Sequence, residues 1–252
     1  MAPYDFKSPR LFLDAHFAAG AEIRLEAPQA NYLVNVLRLA RGDAVLVFNG
    51  RDGEWRATLA GTGKRAAALR LDERVRAQTA ACDLQLLFAP LKHARLDYTV
   101  QKAVEMGVSR LIPVLTRHTQ VARVNLERMH ANAVEAAEQC GILVLPEIEE
   151  PQPLDRAIAA LSDERLLVFC DEDAGLADPI TALAAQRARA KSIAVLIGPE
   201  GGFAEEERSL LLKRPQLVRL ALGPRILRAD TAAVAALALV QAALGDWSGA
   251  AS

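Results

Sequence analysis

Ile193-Ala194-Val195-Leu196-Ile197-Gly198-Pro199-Glu200-Gly201-Gly202-Phe203, followed by Ala204 and the acidic run Glu205-Glu206-Glu207, is the stretch that decides the fold. Its apolar opening reads as a buried strand, and the acids beyond it suit the first turn of a helix, where negative charge complements the helix dipole. Between the two, Gly198, Gly201 and Gly202 let the backbone approach a ligand closely, and Pro199 fixes the turn. Turn chemistry alone also accounts for glycine and proline here. A second junction, Leu220-Ala221-Leu222-Gly223-Pro224-Arg225-Ile226-Leu227-Arg228-Ala229-Asp230-Thr231, again places Gly-Pro at the end of an apolar strand, 25 positions later. In open α/β sheets ligands gather where strands end and helices begin, so two such loops together point to a binding site.

Outward from these loops, strands are expected at Leu84–Phe88, Leu111–Leu115, Arg165–Cys170, Ser192–Ile197 and Leu217–Leu222. Helices are expected at Leu96–Met106, stopped by Gly107, and at Asn125–Cys140, capped by Asn125 and ended by Gly141. Three more are expected at Pro179–Ala190, Ala204–Lys213 and Thr231–Leu244. Strand–helix alternation implies an α/β fold with a parallel sheet covered on both faces. Asp230 reads as the N-cap of the last helix. Beyond it, Ala232–Val240 is apolar on every side and calls for burial all round, either in a subunit interface or sandwiched within the chain.

Residues 1–75 read differently. Ala44–Phe48 ends in the turn signal Asn49-Gly50, Glu54–Leu59 can return antiparallel, and Tyr32–Leu39 suits a turn or two of helix. The mix suggests a small β-rich, barrel-like domain, with Asp72–Cys82 as the connection to the α/β region.

Composition narrows the classes. The chain has 252 residues, 52% hydrophobic and 24% charged, as in an ordinary globular protein. Its best apolar run, Ala232–Leu244, is 13 residues, where a membrane helix needs about 20. The N-terminal Met1–Asp5 has no basic region leading into an apolar core, so no signal peptide is expected and the expected address is cytoplasmic. Cys82, Cys140 and Cys170 form no CxxC pair, and His16, His93, His118 and His130 show no ligand spacing; neither a disulfide framework nor a metal is expected. The net charge of −1 conceals an asymmetry: residues 1–76 hold 12 Lys/Arg against 9 Asp/Glu. A balance of +3 is compatible with a polyanionic partner and also with chance.

The pair Ile197-Gly198-Pro199-Glu200-Gly201-Gly202-Phe203 and Leu222-Gly223-Pro224-Arg225-Ile226-Leu227-Arg228-Ala229-Asp230-Thr231 resembles the signature of the SPOUT methyltransferases. The likeness is to the bacterial family that methylates N3 of a uridine in 16S ribosomal RNA. Arg10-Leu11-Phe12, Val36-Leu37-Arg38, Lys92, Val100–Val108, Glu127-Arg128-Met129 and Glu135–Gly141 continue it in order along nearly the whole chain. The resemblance implies a PUA-like barrel over residues 1–75 that helps hold RNA. Over residues 76–252 it implies an α/β domain with a deep trefoil knot, which general topology rules disfavour. It further implies a homodimer, S-adenosylmethionine as cofactor, and 16S rRNA in the small ribosomal subunit as substrate. Carried across, the cofactor residues are Phe169 and Cys170 (with Asp171 beside them), Ile197, Gly198, Pro199, Glu200, Gly201, Gly202, Leu222, Gly223, Pro224, Ile226, Leu227 and Thr231.

Three departures stand out. Asp230 replaces the family's usual glutamate, Gly141 is followed by Ile142-Leu143-Val144 where two arginines are usual, and Tyr32 takes the place of a histidine. They bear more on RNA contacts than on the cofactor.

Uracil N3 carries a proton on its Watson–Crick edge, so the base must be unpaired before a methyl group reaches it. Alignment of N3 with the methyl group and help in removing that proton are the enzyme's tasks. Arg228 is the first candidate to orient the base or steady negative charge on its carbonyl oxygens; a surface salt bridge is the plain alternative. Asp230 is read equally as a base or as a helix cap. Arg10, Arg38 and Lys92 are candidates for phosphate contacts, and Glu200 for fixing its loop. Rival readings are a non-catalytic RNA-binding assembly factor, a related enzyme with another RNA target, and a dinucleotide site at Gly61-Thr62-Gly63-Lys64-Arg65-Ala66, a weak match more in keeping with a hairpin turn.

Overall fold

The computed structural model describes residues 5, 7–61, 67–175 and 178–248. The Gly61–Ala66 match therefore falls, from Thr62 onward, outside the described residues, as does most of the Met1–Asp5 terminus. The chain divides into two compact units, residues 1–80 with 137–144, and residues 81–136 with 145–252.

The first unit is built on a five-stranded sheet. Its strands are β1 (Arg10–Phe12), β2 (Glu22–Arg24), β3 (Ala44–Phe48), β4 (Glu54–Gly61) and β5 (Ala68–Arg76), in spatial order β1-β3-β4-β5-β2. The Asn49-Gly50 turn joins β3 to β4 as the sequence indicates, with Val47 opposite Trp55, and Gly50 takes φ +81°. Strand β5 runs on to Arg76, because its residues find antiparallel partners along β4. Asp72–Arg76 is thus sheet, and the expected connection shortens accordingly. Between β2 and β3 lies a short helix α1 (Ala27–Asn31) that passes into a wide π-helical turn, Tyr32–Val36. Leu33, Val45, Val47, Leu59, Leu69 and Leu71 are wholly buried at the centre of this unit.

The second unit contains β6 (Leu84–Phe88), α2 (His93–Glu105), β7 (Arg110–Leu115), most of α3 (Leu126–Cys140, whose residues from Ala137 on count with the first unit) and the short β8 (Glu147–Ile148) and β9 (Gln152–Pro153). These are followed by α4 (Leu154–Ala160), β10 (Leu166–Cys170), α5 (Pro179–Ala184), β11 (Ile193–Ile197), α6 (Glu205–Leu211), β12 (Leu217–Leu220) and α7 (Ala229–Ala243). The main strands run parallel in the order β12-β10-β11-β6-β7. Every residue of β6, β10 and β11 is buried, which requires cover on both faces and explains their unbroken apolar sequences. Leu154 and Ile158 of α4 and Leu211 of α6 pack in one core with Leu167, Phe169 and Leu196. Helices α2 and α5 each contact α7, and α7 also reaches β11.

Helix ends follow the local sequence. Asn125 accepts the Arg128 N–H at 3.0 Å to start α3, and Gly107 and Gly141 take φ +77° and +69° just past α2 and α3. The start of the last helix differs from expectation. It begins at Ala229 with Arg228 as its N-cap, so Asp230 is its second residue and accepts the adjacent Thr231 N–H at 2.9 Å. Within the single chain Ala233, Ala236, Leu237 and Val240 are buried, whereas Val234, Ala235, Ala238 and Leu239 are half-buried. Helix α5 stops at Ala184 and continues as turns, and β12 ends at Leu220, freeing Ala221 and Leu222 for the loop beyond.

Candidate active site

Parallel pairing brings Cys170, Ile197 and Leu220 into one row at the carboxyl edge of the sheet, since Cys170 lies opposite both Ile197 and Leu220. Each is the last residue of its strand, and the three following loops enclose a cavity of about 530 Å³. Its walls are Cys170–Glu172 with Ala174, Ile197–Gly202, and Leu220–Leu227, closed by Ala229 and Ala232 of α7.

The three glycines of the first loop have separate physical reasons. A β-carbon on Gly198 would overlap the ring of Phe203, which is itself packed edge-on against Phe169 at 5.0 Å. One on Gly201 would lie 3.1 Å from His118 Cβ, and His118 Nδ1 is 3.2 Å from the Gly202 carbonyl oxygen. Gly202 has φ +68°, and a β-carbon there would strike the Glu172 carboxylate. Glu207 fastens the loop's far end by accepting the Ala204 and Arg117 N–H groups at 2.9 and 2.8 Å. Glu200 is ion-paired with Arg95 of α2 at 2.5 Å, an arrangement suited to fixing the loop.

The wall after β10 is held by charge. The Asp171 carboxylate is fully buried between Arg219 Nε at 2.7 Å and Arg208 at 3.3 Å, and Arg208 also pairs with Glu172 and Asp173 at 2.8 and 2.5 Å. Asp171, Glu172 and Asp173 are close enough together to hold a cation, but these two guanidiniums already supply countercharge. Burial pushes the neighbouring Cys170 thiol up to about 12, with the Asp171 charge adding to it, so the sulfur stays protonated and serves as a wall rather than a nucleophile.

Of the residues singled out in the sequence, Cys170, Ile197, Gly198, Pro199, Glu200, Gly201, Gly202, Leu222, Gly223, Pro224, Ile226 and Leu227 line the cavity together. Phe169 stands behind the wall, wholly buried, and Thr231 is exposed on the first turn of α7. Arg228 is exposed beside the lining residues Leu227 and Ala229, and its guanidinium has no ion pair among the described residues. Asp230 is half-buried two residues further on. Arg38 and Lys92 are exposed. Arg10 must be corrected: it is 7% exposed, bonded to Glu54 at 2.6 Å, stacked 4.3 Å over the Phe48 ring, and donating to the carbonyls of Ala137, Glu138 and Ile142. Its guanidinium is a core fastener of the first unit and is not free to meet phosphate. Residues the motifs did not flag include Glu172, Ala174 and Ala232; none carries a turn or charge signature that separates it from ordinary loop and helix sequence.

A family model described as an RNA methyltransferase domain matches residues 66–241, and one described as an RNA methyltransferase PUA domain matches residues 25–72. The chain is 30% identical to the ribosomal RNA small subunit methyltransferase E of Rickettsia conorii over 236 residues, 93% of this chain and 96% of that one. Among solved structures, the enzyme of that name from Neisseria gonorrhoeae, bound to S-adenosylmethionine, superposes with a TM-score of 0.81 at 26% identity, covering 94% of this chain and 98% of that one. A methyltransferase from Legionella pneumophila, also with bound S-adenosylmethionine, gives 0.83 at 27% identity, covering 95% and 99%.

Proposed function

The chain belongs to the RNA methyltransferase family, and from that membership together with the cavity we propose that it methylates ribosomal RNA of the small subunit using S-adenosylmethionine. The carrying observation is the convergence of both Gly-Pro loops and the end of β10 on one cavity of about 530 Å³, within the range that holds a small-molecule cofactor. The lining suits this cofactor. Apolar Ile197, Leu222 and Leu227 flank loop peptides for an adenine-sized ring, and glycines stand where a side chain would collide with the wall. Bound there, the sulfonium supplies an activated methyl group.

The chain's own residues then have three tasks. The loops of residues 198–202 and 222–227 hold the donor and exclude water. Arg228, exposed beside the lining residues Leu227 and Ala229, orients the target base and steadies the negative charge that builds on its carbonyl oxygens as N3 gives up its proton to solvent. Asp230 keeps its place in the first turn of α7, facing the positive end of that helix. N3 of a uridine in 16S rRNA is the target we assign, resting on the resemblance of the two loops. The residues we assign to the cofactor are those of the cavity wall, with Phe169 supporting it and Thr231 at its edge.

We further assign RNA holding to residues 1–75 and methyl transfer to residues 76–252, with the cytoplasm as setting. The trefoil knot is assigned to the second unit from the family resemblance, with which the pairing of β12 beside β10, across from β11, is compatible. A homodimer closing over α7 is assigned from its half-buried apolar stripe. Calorimetry with S-adenosylhomocysteine tests the cofactor assignment. Micromolar binding and no response to NAD are expected; NAD binding without S-adenosylhomocysteine binding would overturn it.

A further inference from the structure

One ion network reaches all three loops of the cavity, and its centre is Asp171, the first residue past β10. The Asp171 N–H donates to the Leu220 carbonyl at 3.1 Å. Its buried carboxylate accepts the Asp173 N–H at 3.1 Å and Arg219 Nε at 2.7 Å, and pairs with Arg208 Nη2 at 3.3 Å. Arg219 lies on β12, the strand that runs into the loop of residues 221–227. Arg208 lies on α6, the helix that follows the glycine loop. Its Nη2 also meets Glu172 Oε1 at 2.8 Å, the oxygen that a β-carbon on Gly202 would strike, and the same nitrogen would stand 3.8 Å from that β-carbon. The guanidinium therefore fills the seam between the glycine loop and the wall after β10. The preceding residue, Glu207, turns another way around the helix and fastens Ala204 and Arg117 instead.

Stability alone is a poor reason for this arrangement. A buried ion pair gains little over apolar packing of the same volume, and Arg208 Nε is buried with no hydrogen-bond partner among the described residues. What the network supplies is position. Asp171, Glu172 and Asp173 bring three carboxylates within 4.8 Å of one another, and Arg208 pairs with all of them. Without that guanidinium the carboxylates repel, and Glu172 has no charge holding it against Gly202. We propose that Arg208 is a positioning residue that locks the three cavity loops into one arrangement before a ligand arrives, acting through Asp171 and Glu172. As a statement about the cofactor this rests on the proposed S-adenosylmethionine site. Loops ordered in advance spare the ligand the entropy of ordering them, so the lock is felt as affinity.

The test joins amide hydrogen exchange of the ligand-free chain to calorimetry with S-adenosylhomocysteine. In Arg208→Met, residues 171–174, 198–203 and 220–227 are expected to exchange faster together, while β6 exchanges as in the parent. Affinity is expected to fall about tenfold, and less in Arg208→Lys, which keeps the charge and loses the fork. Adding Glu172→Gln to Arg208→Met removes one repelling charge and is expected to recover most of that loss, a rescue that a packing role would not give. Arg219→Met, at the more exposed end of the network, is expected to fold as the parent does and to weaken binding about threefold. Parental exchange and affinity in folded Arg208→Met, or in Arg219→Met should the former not fold, overturns the proposal. So does a loss that Glu172→Gln leaves uncorrected, or faster exchange confined to α6. A parent that binds no S-adenosylhomocysteine, with loops that still loosen together in Arg208→Met, would contradict the cofactor reading and uphold the lock.

Discussion

Gly202 and Cys170 show how single residues set the candidate site. Gly202 combines φ +68° with direct approach to Glu172, so Gly202→Ala is expected to distort the loop and weaken S-adenosylhomocysteine binding at least tenfold in calorimetry. Unchanged affinity would mean that the loop does not touch the ligand. Cys170, buried and protonated, is expected to resist iodoacetamide at pH 8, whereas exposed Cys140 is alkylated first; peptide mass spectrometry reads the order. Arg228→Ala is expected to lower turnover about a hundredfold with little change in cofactor affinity, and a proportional loss of both would move Arg228 into the cofactor site. The glycines and prolines of both loops were legible because turn chemistry is local. That Asp230 does not cap its helix and that Arg10 is not free for phosphate are not legible, because both depend on structure that the neighbouring sequence does not carry. Arg10 meets Glu54, 44 positions away, and Asp230 lost its cap role because α7 starts earlier than its apolar run.

Elements were read best where the sequence carries its own punctuation. Strands β3, β6 and β11 lie within a few residues of expectation because their apolar runs are unbroken, and helices α2 and α3 because Gly107, Gly141 and Asn125 mark their ends through local backbone geometry. The end of strand β5 resembles a connector in sequence because polar Asp72–Arg76 has no apolar pattern; its pairing along β4 is a tertiary effect. The π-turn was equally hidden, since one extra residue per turn leaves no compositional trace. The packing of α7 on α2 yields a prediction of its own. Gln241 is 1% exposed and its Nε2 donates to the Met106 carbonyl at 2.6 Å, at the end of α2. Gln241→Ala strands that carbonyl and is expected to cost about 1 to 3 kcal/mol in denaturant unfolding, where a loss below about 0.5 kcal/mol would show the bond to be dispensable.

For the whole molecule, the parallel sheet and the convergence of its carboxyl-end loops followed from strand–helix alternation, whereas strand order, the row formed by Cys170, Ile197 and Leu220, and the size of the cavity came only with the fold. The half-buried stripe Val234, Ala235, Ala238 and Leu239 is expected to close a dimer, and sedimentation is expected to give twice the chain mass, falling to one with Leu239→Glu. The central claim is that this cavity delivers a methyl group to ribosomal RNA. Small ribosomal subunits from a strain lacking the corresponding methylation are incubated with the protein and S-adenosylmethionine, and the rRNA nucleosides are resolved by mass spectrometry. Gain of one 3-methyluridine per subunit, lost in Gly202→Ala, is the predicted result; folded, cofactor-binding protein that leaves every nucleoside unmethylated would contradict it.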